Sequence, residues 1–195
     1  MIRILFLSLL SFSCDNWTED PDLAPIPEAG FVLPFPVGRA YYCSQGFNSD
    51  FSHHGSFRYS VDFIMPVGSV ITASRAGQVV HTNASFSDND HAIGHENVII
   101  IRHADSTFAR YVHLTQKGVL VSINEWVQPG DTIGLSGNSG QSRYPHLHFD
   151  VTQSFSERSD QTIPFDFLNT EPRPVGLHHG HVFEAMPYRA GAICN

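Results

Sequence analysis

Apolar and polar residues alternate with a period of two along most of this chain, which is the pattern of strands buried on one face. Such runs cover 58–65, 69–74, 78–83, 97–103, 107–114, 119–123, 132–136 and 146–152. Gly77, Gly118, Pro129-Gly130 and the glycine-bearing stretch 137–140 punctuate them as turns. No stretch carries the 3.6-residue period of an amphipathic helix three turns long. The pattern predicts an all-β fold, a sandwich or partly closed barrel of mostly antiparallel strands. The longest polar interval, 85–96, reads as a loop.

The ends read differently. Residues 1–13, MIRILFLSLLSFS, pair one early arginine with an apolar run. The run is too short to span a bilayer, which takes ~20 residues, and reads as a secretory signal peptide. Cys14 stands where an exported lipoprotein carries its lipid anchor, behind a partial lipobox. Residues 14–36 hold Pro21, Pro25, Pro27, Pro34 and Pro36 and read as an arm or tether. The remainder, 37–195, reads as one domain. With Cys14 set aside, Cys43 and Cys194 form an even pair, and export predicts a disulfide between them.

Composition narrows the function. The chain has 195 residues with 11 Lys+Arg against 19 Asp+Glu, a net charge of −8. That balance excludes a global electrostatic grip on nucleic acid or anionic lipid. The 12 histidines are as many as the prolines and outnumber the basic residues, which points to metal or acid–base chemistry.

Alternation groups these histidines. His146 and His148 share a strand face with Asp150, while Leu147, Phe149 and Val151 face a core. Tyr111 and His113 are expected to share a face, and Asp62 lies opposite Val61 and Phe63. His53 and His54 stand just upstream on a glycine-containing loop. If these polar faces line one cleft, it suits zinc, which takes three protein ligands at catalytic sites and leaves a fourth position for water. Nitrogen and oxygen ligands of this kind also accept other divalent metals.

Several motifs in order resemble the lysostaphin/LytM-type zinc metallopeptidases. They are Val61-Asp-Phe-Ile-Met-Pro-Val-Gly68, the strand 97–105, Ala109-Arg-Tyr-Val-His-Leu114, Ser136-Gly-Asn-Ser-Gly140 and Pro145-His-Leu-His-Phe149. Together they span a core of about 52–151. The resemblance implies a barrel-sandwich hybrid fold of the duplicated hybrid type, one zinc per chain, and endopeptidase action on peptidoglycan peptides in the cell envelope. It makes Asp62 and His148 metal ligands, and His113 and His146 the two non-ligand catalytic histidines. The family's His-x-Gly-x-Asp is stretched here. His53 keeps the usual offset to Gly55 and is the favoured first ligand; His54 is its rival. Tyr144 and Ser106 replace glycines common in the family.

Two other functions share this fold, a non-catalytic module that binds wall or regulates a hydrolase, and a secreted protease acting on protein. The module usually lacks part of the metal or catalytic set, whereas a full set of five can be placed here. The other histidines have plainer readings: His103 is structural at a strand end, and His81, His91 and His95 are solvated. His178, His179 and His181 cluster near the C-terminus.

Overall fold

The computed structural model describes residues 25–26, 30–157, 161–171 and 177–190. The predicted signal stretch 1–13 and the predicted lipid acceptor Cys14 lie outside them. So does Cys194, and with it the expected disulfide; Cys43 is a buried free thiol whose S–H donates to the Gln45 carbonyl at 3.2 Å.

The alternating runs become short strands. In chain order these are β1 (Pro25–Ile26), β2 (Ala40–Gln45), β3 (Val61–Ile64), β4 (Val70–Thr72), β5 (Gly77–Asn83), β6 (Val98–Arg102) and β7 (Phe108–Val112). They continue with β8 (Leu114–Val119), β9 (Trp126–Val127), β10 (Thr132–Ser136), β11 (His146–Thr152), β12 (His181–Glu184) and β13 (Arg189–Ala190). Eight of them form one antiparallel sheet in the order β12-β2-β3-β11-β7-β6-β5-β9. A second sheet has the order β4-β10-β8, and β1 pairs in parallel with β13. The only helix among the described residues is a single 3-10 turn, Gly55–Phe57.

The two larger sheets share one core. The large sheet contributes Val61, Phe63, Ile99, Ile101, Tyr111, Leu147, Phe149 and Val151; the small one contributes Ile71, Leu114 and Ile133. Aromatic rings fill the interior edge to face, among them Phe35 on Phe63 at 5.2 Å and Phe149 on Phe165 at 5.1 Å. Burying each such ring stabilises the fold by about 1.5–3 kcal/mol.

Three expectations need correction. The Pro-rich arm is not a tether throughout. From Phe31 to Phe35 it lies in the core, with Val32 N–H donating to Ser74 and Leu33 N–H to the Asn169 side chain. The C-terminal segment supplies further partners: Phe31 bridges Phe167, and its carbonyl accepts from Leu168 N–H.

The run 119–123 is not a strand of its own: only Val119 is in a strand, and 120–123 are loop. The strand there is β8, which ends at Val119 once Leu114 and Val119 have paired with β10.

Nor do Tyr111 and His113 share a face. His113 adopts φ +65°, which breaks the alternation at the end of β7. Tyr111 stays in the core, where its hydroxyl accepts from Ser74 N–H at 2.8 Å. Strands β2 and β12, absent from the expected set, extend the large sheet on the side of β3.

Candidate active site

Register builds the site. Because β11 lies between β3 and β7, His148 stands opposite Asp62 on one side and Val112 on the other. The alternation of β11 sends Leu147, Phe149 and Val151 into the core and leaves His146, His148 and Asp150 on the opposite face. A register shift between Cys43 and Gln45 brings Gln45 opposite Asp62.

His53 enters from the loop before the 3-10 turn, where Gly55 takes φ +58°. Its side chain is 1% exposed, whereas the neighbouring His54 is exposed. His53 Nε2 lies 3.2 Å and His148 Nδ1 2.9 Å from the same carboxylate oxygen, Asp62 Oδ1. The three prospective ligand atoms fall within 4.8 Å of one another.

This set fits a small divalent cation. Two imidazole nitrogens and one carboxylate oxygen converge on a point, and neither ring nitrogen of buried His53 has a well-formed hydrogen bond. Buried polar atoms are seldom left so without a ligand. The donors are those of zinc, with only three supplied by protein.

Asp62 is buried, which by itself raises a carboxyl pKa. The three histidines that crowd the carboxylate, His146, His148 and His53, outweigh that and hold it well below the usual range. His148 is buried too, but hydrogen bonds to Asp150 and Asp62 push it up to about 9. Its Nε2 lies 3.0 Å from Asp150 Oδ2, and Arg110 donates to that same oxygen at 3.2 Å. Asp150 itself is 0% exposed.

His113 and His146 are fixed differently. His113 Nδ1–H donates to the Ser139 carbonyl at 2.7 Å, and His146 Nδ1–H to the Tyr144 carbonyl at 2.8 Å. A carbonyl only accepts, so each ring must carry its proton on Nδ1 and present a bare Nε2. Their centroids are 4.7 Å apart, and His146 Nε2 is 3.7 Å from Asp62 Oδ1. Burial, reinforced by the neighbouring histidines, lowers His113 to about 3; burial also lowers His146. Both are neutral at pH 7.

All five side chains line one open cleft of about 570 Å³. Phe51, Phe57, Ile93 and Tyr144 stand exposed around it. The loop 85–96 forms a wall and is sewn to 137–142: Asn138 N–H donates to Asp88, and Gly140 N–H to the Asp90 carbonyl.

A family model described as Peptidase family M23 matches residues 56–161, more than half of the chain. The chain belongs to this family. His53 lies just ahead of the M23 match, as does Gln45. An uncharacterized metalloprotease of Buchnera aphidicola is 37% identical over 134 residues, 67% of this chain and 33% of that protein. The peptidoglycan DD-endopeptidase ShyA of Vibrio cholerae is 33% identical over 122 residues, 60% of this chain and 26% of that protein. Among solved structures, the catalytic domain of the prophage-encoded M23 protein EnpA from Enterococcus faecalis, in variant form, has the same fold. It has a TM-score of 0.53 at 22% identity, covering 68% of this chain and 93% of that one. The M23 chain described here spans a third or less of the length of these two curated relatives.

Two contributions to this M23 site escaped the sequence pattern. Gln45 reaches it through a strand irregularity, and the carbonyls of Ser139 and Tyr144 act through the backbone, which carries no residue signature.

Proposed function

We propose that the chain is a zinc-dependent endopeptidase that hydrolyses peptide bonds of peptidoglycan. The observation that carries this reading is the pairing of a three-donor cluster, His53, Asp62 and His148, with two histidines that present bare Nε2 atoms to the same cleft. Zinc held by those three donors supplies a Lewis acid that polarises a carbonyl and makes water nucleophilic near neutral pH.

The remaining chemistry belongs to the protein. Hydrolysis adds the oxygen of water to the scissile carbonyl carbon and delivers a proton to the departing amine. His113 and His146 are neutral, so one can accept the water's proton at Nε2. Once protonated there, the ring becomes a donor to the carbonyl oxygen or the leaving nitrogen. Their Nδ1–H bonds to backbone carbonyls hold the rings in the tautomer this needs.

The peptidoglycan assignment follows the activity named for the Vibrio cholerae relative. It agrees with an open cleft of about 570 Å³ and with the export signal read in 1–13. Cys14 would tether the exported protein to a membrane. The site favours an enzyme over a wall-binding module because no member of the five-residue set is missing.

Incubating the zinc-loaded protein with purified peptidoglycan, followed by mass spectrometry of the soluble fragments, tests this. New amine and carboxyl termini at one peptide position are expected. Binding to wall with no cleaved peptide would assign the chain to the module class, and cleavage of unfolded protein alone would assign it to general proteolysis.

A further inference from the structure

Gln45 is buried, lies outside the stretch that matches the family, and uses both ends of its amide at the candidate metal centre. Its Nε2 donates to Asp62 Oδ2 at 2.7 Å and to Ser52 Oγ at 2.8 Å. Its Oε1 accepts from Ser52 N–H at 3.1 Å and from the Ser49 hydroxyl at 3.1 Å. The neighbours dictate this orientation, since an ionised carboxylate only accepts and a backbone N–H only donates.

The division of Asp62 follows from it. Oδ2 is occupied by Gln45, and Oδ1 is the oxygen that His53 and His148 approach. The second end of the amide holds Ser52, the residue immediately before His53. One side chain on β2 therefore fixes two of the three prospective ligands, one directly and one through the loop that carries it.

We propose that Gln45 is a positioning residue that sets the spacing of Asp62 and His53 and so preorganises the metal centre. The proposal rests on the reading of His53, Asp62 and His148 as zinc ligands. Partners that orient metal ligands from behind are worth 10–100-fold in affinity or activity. Without Gln45, Oδ2 loses its partner, the carboxylate is free to rotate, and the loop at 49–52 loses its anchor.

The test is zinc affinity, measured by competition with a chromophoric chelator, beside thermal unfolding of the metal-free protein. Gln45→Met keeps the bulk and removes both hydrogen-bonding ends. Gln45→Asn keeps an amide but is one methylene too short to reach Asp62 and Ser52 together. Both variants are expected to bind zinc about 10–100-fold more weakly, with an altered visible spectrum when cobalt replaces zinc. A folded variant of either kind with wild-type zinc affinity overturns the proposal. So does failure of both to fold, which would make Gln45 part of the scaffold. Wild-type protein that binds no zinc overturns the metal reading itself, a separate result seen before any variant is made.

Discussion

Asp150 offers His148 and Arg110 the same oxygen: Oδ2 takes His148 Nε2 at 3.0 Å and Arg110 Nη1 at 3.2 Å. A wholly buried carboxylate is thus balanced by a buried guanidinium, and the pair backs the histidine from the side away from Asp62. Arg110 also donates to the Glu157 carbonyl at 3.0 Å, which ties the following loop to the same support.

Removing one half of this pair strands the other. Asp150→Ala should destabilise the fold by about 3–5 kcal/mol, the usual result of leaving a buried charge unpaired. The double replacement Asp150→Leu with Arg110→Met should recover most of that loss. Urea unfolding of the metal-free proteins measures both, and a harmless single replacement would show that water reaches Arg110.

The prospective metal ligands make a sharper prediction. Asp62→Ala, His148→Ala and His53→Ala should each lose stoichiometric zinc, while His54→Ala keeps it, because His54 points to solvent and His53 is buried beside Asp62. Metal analysis of dialysed proteins decides. Retained zinc in His53→Ala together with its loss in His54→Ala would reverse the choice.

His113 and His146 should behave in the opposite way. Each alanine variant is expected to stay folded and zinc-loaded yet lose ~10²–10³ in cleavage rate, the usual cost of one oxyanion or proton-transfer partner. Fragment release from peptidoglycan gives the rate. Loss of zinc from His146→Ala would mean a fourth protein ligand and a closed, structural site.

Another buried histidine, away from the cleft, sets an acid limit on stability. His103 donates from Nδ1 to the Ala76 carbonyl at 2.8 Å. Burial, aided by the Arg75 charge, lowers its pKa from 6.5 to about 4. In the unfolded chain this ring gains its proton as pH falls below about 6.5, and the folded protein resists until about 4. Its contribution to stability is therefore complete above 6.5 and is lost between 6.5 and 4 as acid is added. The whole shift corresponds to roughly 3 kcal/mol. His103→Gln should flatten the stability profile across that window, as followed by urea midpoints at several pH values.

The legibility of this site tracks the regularity of the backbone. On β11 the period of two is unbroken, so His146, His148 and Asp150 could be placed on one face from the sequence alone. His113 reaches the cleft by another route, since its positive φ turns it away from the side of Tyr111. Alternation grouped the two and missed that Tyr111 belongs to the core.

Gln45 illustrates the same limit from the other direction. A shift of one residue between Cys43 and Gln45 sets Gln45 rather than Ser44 against Asp62, and no residue at that point announces it. That His53 is buried and His54 exposed depends on strands far away in sequence, which the offset to Gly55 does not carry. Phe31 to Phe35 looked like linker because prolines surround them. Several of their partners, Phe167, Leu168 and Asn169 among them, lie far along the chain, beyond the reach of any local pattern.

That last pairing has a temporal consequence. Leu33 meets Asn169 across 136 positions, and Asp62 meets His148 across 86. Closures this long are among the slow events of folding. Until the segment around Phe167 is available, Phe31 lacks its bridge to Phe167 and its ring contact with Phe165. A chain still emerging from the ribosome, with His148 not yet joined to it, holds no assembled centre. The order of synthesis therefore completes the His53, Asp62 and His148 cluster only after three quarters of the chain exists.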